Sequence, residues 1–218
     1  MGRPGACRDW QSKAVHVKAT IEDKHRGNAM FSVKRLFDIT FSLLALLMLA
    51  IPMGLIALLV KLTSKGPVLY WSDRVGRNNK LFRMPKYRTM WIDTPAVATH
   101  LLGSPDRYLT PFGKFLRKTS LDELPQLISI LKGEMSFVGP RPALFNQNDL
   151  ITLRTERNVH RLTPGLTGWA QINGRDELPI PVKVEYDEYY LKHHSLWFDL
   201  RIIILTIAKV LKSEGINH

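Results

Sequence analysis

Two carboxylates stand side by side in the segment TSLDELPQLISILKG, Asp122 and Glu123. Ser120 precedes them and Glu123 follows it by three positions, a capping-box pattern. The pattern predicts a helix that starts near Leu121, takes Pro125 in its first turn and ends at Gly133. The free N–H groups and positive dipole end of such a helix attract anions. Successive helical side chains point about 100° apart, so one carboxylate can act as a nucleophile while its neighbour holds a hard cation such as Mg²⁺. The same pair also reads as ordinary first-turn acids that favour the dipole, and the residues alone leave both readings open.

Basic residues on stiff segments add to the first reading. Lys86 and Arg88 lie in KYRT, Arg117 just before the acidic pair, Arg141 between Pro140 and Pro142, and Arg175 after Asn173-Gly174. A guanidinium held on a proline-bounded or glycine-adjacent loop is ready for bidentate contact with phosphate, so this set suits a diphosphate. The histidines form no HExxH pattern, and neither a P-loop nor GxGxxG is present. Trp169 and Tyr189-Tyr190 read as packing aromatics.

The elements that must carry these groups belong to a chain of 218 residues, long enough for one domain with a real core. Apolar residues make up 45% and charged residues 23%, which excludes a disordered or low-complexity protein. The single cysteine, Cys7, rules out an internal disulfide, and no histidine has a cysteine partner at zinc spacing, so the soluble part fits a reducing cytoplasm. The net charge of +12 points to anionic partners: nucleic acid, an acidic membrane or a phosphorylated substrate. Residues 1–35 hold 8 Lys+Arg against 3 Asp+Glu, and residues 1–30 read as a loosely ordered basic leader without the features of a secretory signal.

From Phe41 to Val60 run 20 residues without a charge, enough to cross a bilayer. Lys34 and Arg35 precede the run and Lys61 and Lys65 follow it, so positive charge favours the cytoplasmic side at both ends. Pro52, with Gly54 after it, falls near the middle, where a missing N–H bends a helix. A re-entrant helical hairpin satisfies both observations, and a kinked single span remains open on the residues alone.

Beyond it, VLYW and LFRMPKYRTM flank a polar turn with Gly76 and Asn78-Asn79, which predicts a small β-hairpin. Residues 94–110 read as a loop and Pro111 to Arg117 as a short basic amphipathic helix. GPRP and TPGLTG read as rigid loops, Val182 to Tyr190 as a charged helix, and the segment after Ser195 as an apolar helix able to lie on a membrane.

Four blocks together resemble the bacterial sugar transferases, the monotopic polyprenyl-phosphate phosphoglycosyl transferases: KRLFDIT, SKGPVLYWSDRVGRNNKLFRMPKYRTM, TSLDELPQLISILKGEMSFVGPRP and PGLTGWAQINGR. The match covers roughly residues 32–214, and its size resembles the small bacillosamine-transferase-like members. The resemblance implies transfer of a sugar 1-phosphate from a UDP-sugar to undecaprenyl phosphate with release of UMP, the initiating step of a bacterial glycan, followed by downstream glycosyltransferases. It implies Asp122 as the nucleophile that carries a phosphosugar, and Glu123 as the Mg²⁺ ligand. It implies substrate contacts by Lys86, Arg88, Arg117, Arg141, Arg175 and Asp199, and a re-entrant break at Pro52 with the catalytic domain on the cytoplasmic face of the inner membrane. Three departures stand out: Ile51 where the family often has serine, Ser72 where glutamine is common, and Thr163 where arginine is usual, the last removing a charge near the expected pocket.

The expected fold is therefore α+β: a mostly helical cytoplasmic domain (67–214) with a small β-hairpin, attached to a membrane helix-break-helix (31–66) and interfacial amphipathic helices, with a leader (1–30) and a tail (215–218). Nucleic acid drops out as a partner because the basic residues lie in separate blocks beside an apolar segment. The competing reading is a non-catalytic, basic, membrane-anchored protein that binds anionic lipid.

Overall fold

Two strands form where the sequence alternates around its polar turn: β1 (Leu69–Val75) and β2 (Leu81–Tyr87) pair antiparallel, with Leu69 opposite Tyr87 and Val75 opposite Leu81. The tight connection uses Asn78 and Asn79 at positive φ, a conformation that asparagine tolerates better than most residues. The computed structural model describes the backbone of residues 6–94, 105–174 and 178–211, and side chains within 32–94, 106–174 and 178–210. The side chains of the leader, Arg175 and the tail therefore lie outside the described residues.

The helix α1 spans Ala6–Thr63 and runs on through Pro52, so the helix-break-helix expected over 31–66 is not seen as a break in the backbone. The chain divides into a unit of residues 1–37 and a unit of residues 38–218. Within the larger unit, Ala45, Leu46 and Leu49 pack against Met84, Leu127 and Ile130, while Ile56 and Val60 pack against Tyr87 and Leu116. The opposite face is bare: Leu47, Met48 and Ile51 are 76–80% exposed. Asp38, at the edge of the apolar run, accepts hydrogen bonds from the Ser136 hydroxyl and the Phe137 N–H, both at 3.1 Å. A lone carboxylate among apolar residues must find such partners.

Helix α2 (Pro111–Lys118) begins as the sequence predicts, with Pro111 at its first position and the Thr110 side chain accepting from the Gly113 N–H at 2.9 Å. The next helix departs from expectation. Leu121–Glu123 is only a 3₁₀ turn, and α3 proper runs from Gln126 to Lys132, ending at Gly133 with φ +88°. Pro125 explains the shift: in a helix starting at Leu121 its nitrogen should serve the Leu121 carbonyl, and it has no hydrogen to give. Ser120 adopts a left-handed φ of +56° and makes no cap, so the capping box does not form.

Two further pairings join distant segments. β4 (Ala143–Leu144) extends the hairpin into a three-stranded sheet ordered β2-β1-β4, and β3 (Ser136–Val138) lies parallel to β5 (Gly165–Thr167). Helices α4 (Asn148–Glu156), α5 (Trp169–Asn173), α6 (Ile180–His193) and α7 (Leu196–Leu211) complete the architecture. Val138, Leu150, Val184, Tyr190 and Ile202 form their common core. Burying each such aliphatic side chain contributes roughly 1.5–3 kcal/mol. The structure is thus mostly helical with a small sheet, and among the described residues Ser32–Thr63 is the one helix long and apolar enough to cross a membrane.

Candidate active site

The 3₁₀ turn after Ser120 sets the acidic pair on a short, strained segment instead of a helical first turn; φ near +56° is costly for a residue with a Cβ. Asp122 is 8% exposed, and its carboxylate accepts no hydrogen bond from the described residues. Burial pushes its pKa up and the neighbouring Glu123 adds to the rise; Lys86, Arg117 and Arg141 oppose both, leaving it at about 6. Glu123 goes the other way. Burial raises its pKa too, but Lys86, Arg141 and Arg74 outweigh that and bring it to about 2.

Each cation reaches this pair from a different element. Lys86, near the end of β2, places Nζ 2.7 Å from Glu123 Oε1. Arg141 sits in the Gly139-Pro140-Arg141-Pro142 loop between β3 and β4, with Nη2 3.6 Å from the same oxygen. Arg117, in the last turn of α2, donates from Nε to Thr89 Oγ1 at 3.0 Å, and its field reaches both acids. Of the residues singled out in the sequence, the structure therefore gathers Asp122, Glu123, Lys86, Arg117 and Arg141. Arg88 lies two residues beyond Lys86 and binds Ser64 instead. Asp199, on α7, accepts from the Tyr190 hydroxyl at 2.6 Å within the helical core.

The loop carrying Arg141 is held by residues that sequence reasoning missed. Arg154 donates from Nη1 to the Arg141 carbonyl at 2.8 Å, and from Nε and Nη2 to Asp187 Oδ2 at 3.0 and 2.6 Å. Arg74 donates from Nη1 to the Pro142 carbonyl at 3.2 Å and from Nε to Ser72 Oγ at 3.0 Å, so the small residue at position 72 is an acceptor that steadies the same loop. One signal was available in the sequence: Asp187 follows Val184 by three positions and precedes Leu191 by four, a carboxylate on the apolar face of α6. Behind the loop, backbones touch. A Cβ on Gly165 would lie 2.1 Å from the Gly139 nitrogen, and one on Gly139 would lie 2.3 Å from the Thr163 carbonyl oxygen, so glycine is needed where the GPRP and TPGLTG blocks cross.

Two carboxylates whose pKa values are pushed apart, faced by three cations, are an arrangement chemically able to attack a phosphoryl group. With its pKa near 6, Asp122 is ionised at neutral pH though poorly solvated, and the same cations could offset charge on a phosphate. As for a metal, both cations engage Glu123 Oε1, and Oε2 has no partner among the described residues. Mg²⁺ is commonly held by one or two carboxylates together with substrate phosphates and water, and a free Oε2 fits that habit.

The bacterial sugar transferase family model matches residues 29–213. "Uncharacterized sugar transferase EpsL" of Bacillus subtilis (strain 168) is 41% identical over 187 residues, covering 85% of this chain and 91% of that protein. The undecaprenyl-phosphate glucose phosphotransferase of Komagataeibacter xylinus is 43% identical over 193 residues, 84% of this chain but 36% of its own length. The UDP-N-acetylgalactosamine-undecaprenyl-phosphate N-acetylgalactosaminephosphotransferase of Aeromonas hydrophila is 36% identical over 188 residues, 84% of this chain and 44% of its own. This chain thus spans most of EpsL but less than half the length of the other two.

Proposed function

The chain belongs to the bacterial sugar transferase family, and from that premise we propose that it transfers a sugar 1-phosphate from a UDP-sugar to undecaprenyl phosphate in two steps. In the first, an Asp122 carboxylate oxygen attacks the β-phosphorus. The bond from that phosphorus to the bridging oxygen breaks, and UMP leaves with the electron pair. In the second, an oxygen of undecaprenyl phosphate attacks the same phosphorus. The bond to Asp122 breaks, the carboxylate is restored, and the lipid carries a diphosphate-linked sugar. Lys86, Arg117 and Arg141 orient the phosphates and offset charge in both steps, and the Arg154–Asp187 pair holds Arg141 in place. Mg²⁺ on Glu123 Oε2, when bound, would neutralise diphosphate charge and favour departure of UMP.

The observation that carries this reading is the Asp122 carboxylate: buried, without a hydrogen-bond partner among the described residues, and faced by three cations. Purified protein with UDP-glucose, UDP-galactose or UDP-N-acetylgalactosamine, Mg²⁺ and undecaprenyl phosphate is expected to release UMP with at least one of them. Asp122→Asn is expected to abolish both release and a phosphosugar mass increment on the intact protein. Equal release by the variant would remove Asp122 from its role.

The same reading includes a re-entrant membrane segment on the cytoplasmic face of the inner membrane. Its support is that both ends of the apolar run are docked to one body: Asp38 to Ser136 and Phe137, Ser64 to Arg88. The catalytic body cannot lie on both sides of a bilayer. Tyr87 also donates to the Met53 carbonyl at 2.9 Å, one residue past Pro52. Exposed Trp197, Leu200, Ile204 and Ile207 recur at helical spacing on α7, which supports an interfacial role for that helix.

A further inference from the structure

Just past β2, Arg88 is 7% exposed and has no carboxylate partner among the described residues. Its Nη2 donates to the Ser64 carbonyl at 2.9 Å and to Ser64 Oγ at 2.7 Å. A cation beside the C-terminus of α1 accounts for that nitrogen, since it meets helix-end carbonyls and the negative end of the dipole. It does not account for the other two. Nε and Nη1 are buried without a hydrogen-bond partner among the described residues. A guanidinium has five N–H donors, so three are left unspent on a buried, uncompensated charge. An isolated buried cation is expensive, and an anion is what this one lacks.

The surroundings say what kind of anion. Nη1 packs against Gly66, whose φ is +110° and where a Cβ would lie 2.5 Å from that nitrogen and 3.1 Å from Ile92 Cδ1, so only glycine fits beside the guanidinium. Leu62, Trp91 and Ile92 are exposed apolar side chains in the neighbouring segments, and Lys61 places Nζ 3.5 Å from the Gly66 carbonyl oxygen. The apolar length of α1 lies directly before Ser64. Unspent phosphate-binding donors beside exposed hydrocarbon fit an anionic phosphate that carries a long apolar chain. A strand advances roughly 3.3 Å per residue, so Arg88 lies about 6–7 Å along the chain from Lys86, next to the cation ring but outside it.

We propose that Arg88 is the subsite for the phosphate of the polyprenyl acceptor, while Lys86, Arg117 and Arg141 serve the diphosphate of the nucleotide sugar. This rests on the two-step reading above. Arg88 holds the acceptor's phosphate so that its oxygen reaches the phosphorus on Asp122; no proton or electron passes through the guanidinium.

The experiment takes full-length protein in neutral-detergent micelles through the two half-reactions separately, comparing wild type with Arg88→Gln, Arg88→Lys and Ser64→Ala. With the nucleotide sugar alone, Arg88→Gln is expected to form the covalent adduct to the wild-type extent. With undecaprenyl phosphate added, its KM for that acceptor is expected to rise roughly 10- to 100-fold, with the KM for the nucleotide sugar unchanged. Arg88→Lys recovers part of the loss because it keeps the charge, and it decides the matter should Arg88→Gln not fold. Ser64→Ala removes only a partner of Nη2, and its acceptor KM is expected to change less than threefold. Adduct formation and turnover falling together, or turnover falling at an unchanged acceptor KM, would overturn the proposal. Flotation with phosphatidylglycerol vesicles separates the two sources of a lipid phosphate: lost flotation of Arg88→Gln at an unchanged acceptor KM assigns Arg88 to bulk headgroups and overturns it as well. Absence of an adduct in the wild type would count against the two-step reading, and the acceptor KM would still judge Arg88.

Discussion

Asp122 and Asp187 are both buried aspartates whose pKa burial raises, and both have arginine nearby. What differs is the kind of neighbour. Asp187 receives two hydrogen bonds from one guanidinium, which locks it and, through Arg154, the Arg141 loop. Asp122 receives Coulomb attraction from three cations and a hydrogen bond from none of the described residues. A carboxylate bonded on its lone pairs is a structural anchor, whereas one stabilised only at a distance keeps its lone pairs for a reaction. Glu123 falls between them: one oxygen is spent on cations and the other is free.

Breaking the anchor should have the largest consequence. Arg154→Met leaves Asp187 buried without its partner and is expected to cost about 3–5 kcal/mol, whereas Arg154→Met with Asp187→Leu should recover much of that loss. Thermal unfolding of the solubilised protein measures both. A double variant no more stable than the single one would mean that the pair does not act as a unit.

Asp122 should show the opposite behaviour, a gain in stability when neutralised. Between pH 4 and 6 folded Asp122 holds a proton that the unfolded chain has released, so wild-type stability falls as pH rises through that window. Asp122→Asn does not titrate. It is expected to be more stable than wild type by about 2 kcal/mol at pH 7.5, a rise in Tm of roughly 4–8 °C, with no advantage at pH 4. A variant destabilised at both pH values would show that the carboxylate is held as firmly as Asp187.

The smallest effect concerns the pair itself. The Glu123 charge holds the pKa of Asp122 up, so Glu123→Gln should lower it. UMP release in the variant is slower, and the acid limb of its pH–rate profile, near pH 6 in the wild type, is expected to move to lower pH. An upward move would mean that Lys86 and Arg141 act on Asp122 chiefly through Glu123.

Much of this was legible without coordinates. The β1–β2 hairpin follows from alternation around Gly76 and two asparagines, α2 from Pro111, and the end of α3 from Gly133, because turns and caps are local chemistry. The acidic pair and three of its cations were legible as residue types, though of those cations only Arg141 lies on a proline-bounded loop, Lys86 being on β2 and Arg117 on α2. The start of α3 was misplaced by five residues, because Pro125 removes a hydrogen bond that the cap pattern at Ser120 takes for granted. Asp38 and Asp187 carried a weak signal, a charge set among apolar neighbours, that shows a partner is needed and not which one.

The amino-acid sequence by itself determined the charges, the apolar segment and the glycines and prolines that stiffen the loops, since each is a property of one residue or its immediate neighbours. Tertiary structure decided which carboxylate is anchored and which is left without a hydrogen bond from the described residues. That choice depends on Arg154 reaching Asp187 across 33 positions, on Lys86 and Glu123 meeting across 37, and on Gly139 and Gly165 letting two backbones touch. Contacts at such separations follow from packing a whole core, and no local spacing encodes them.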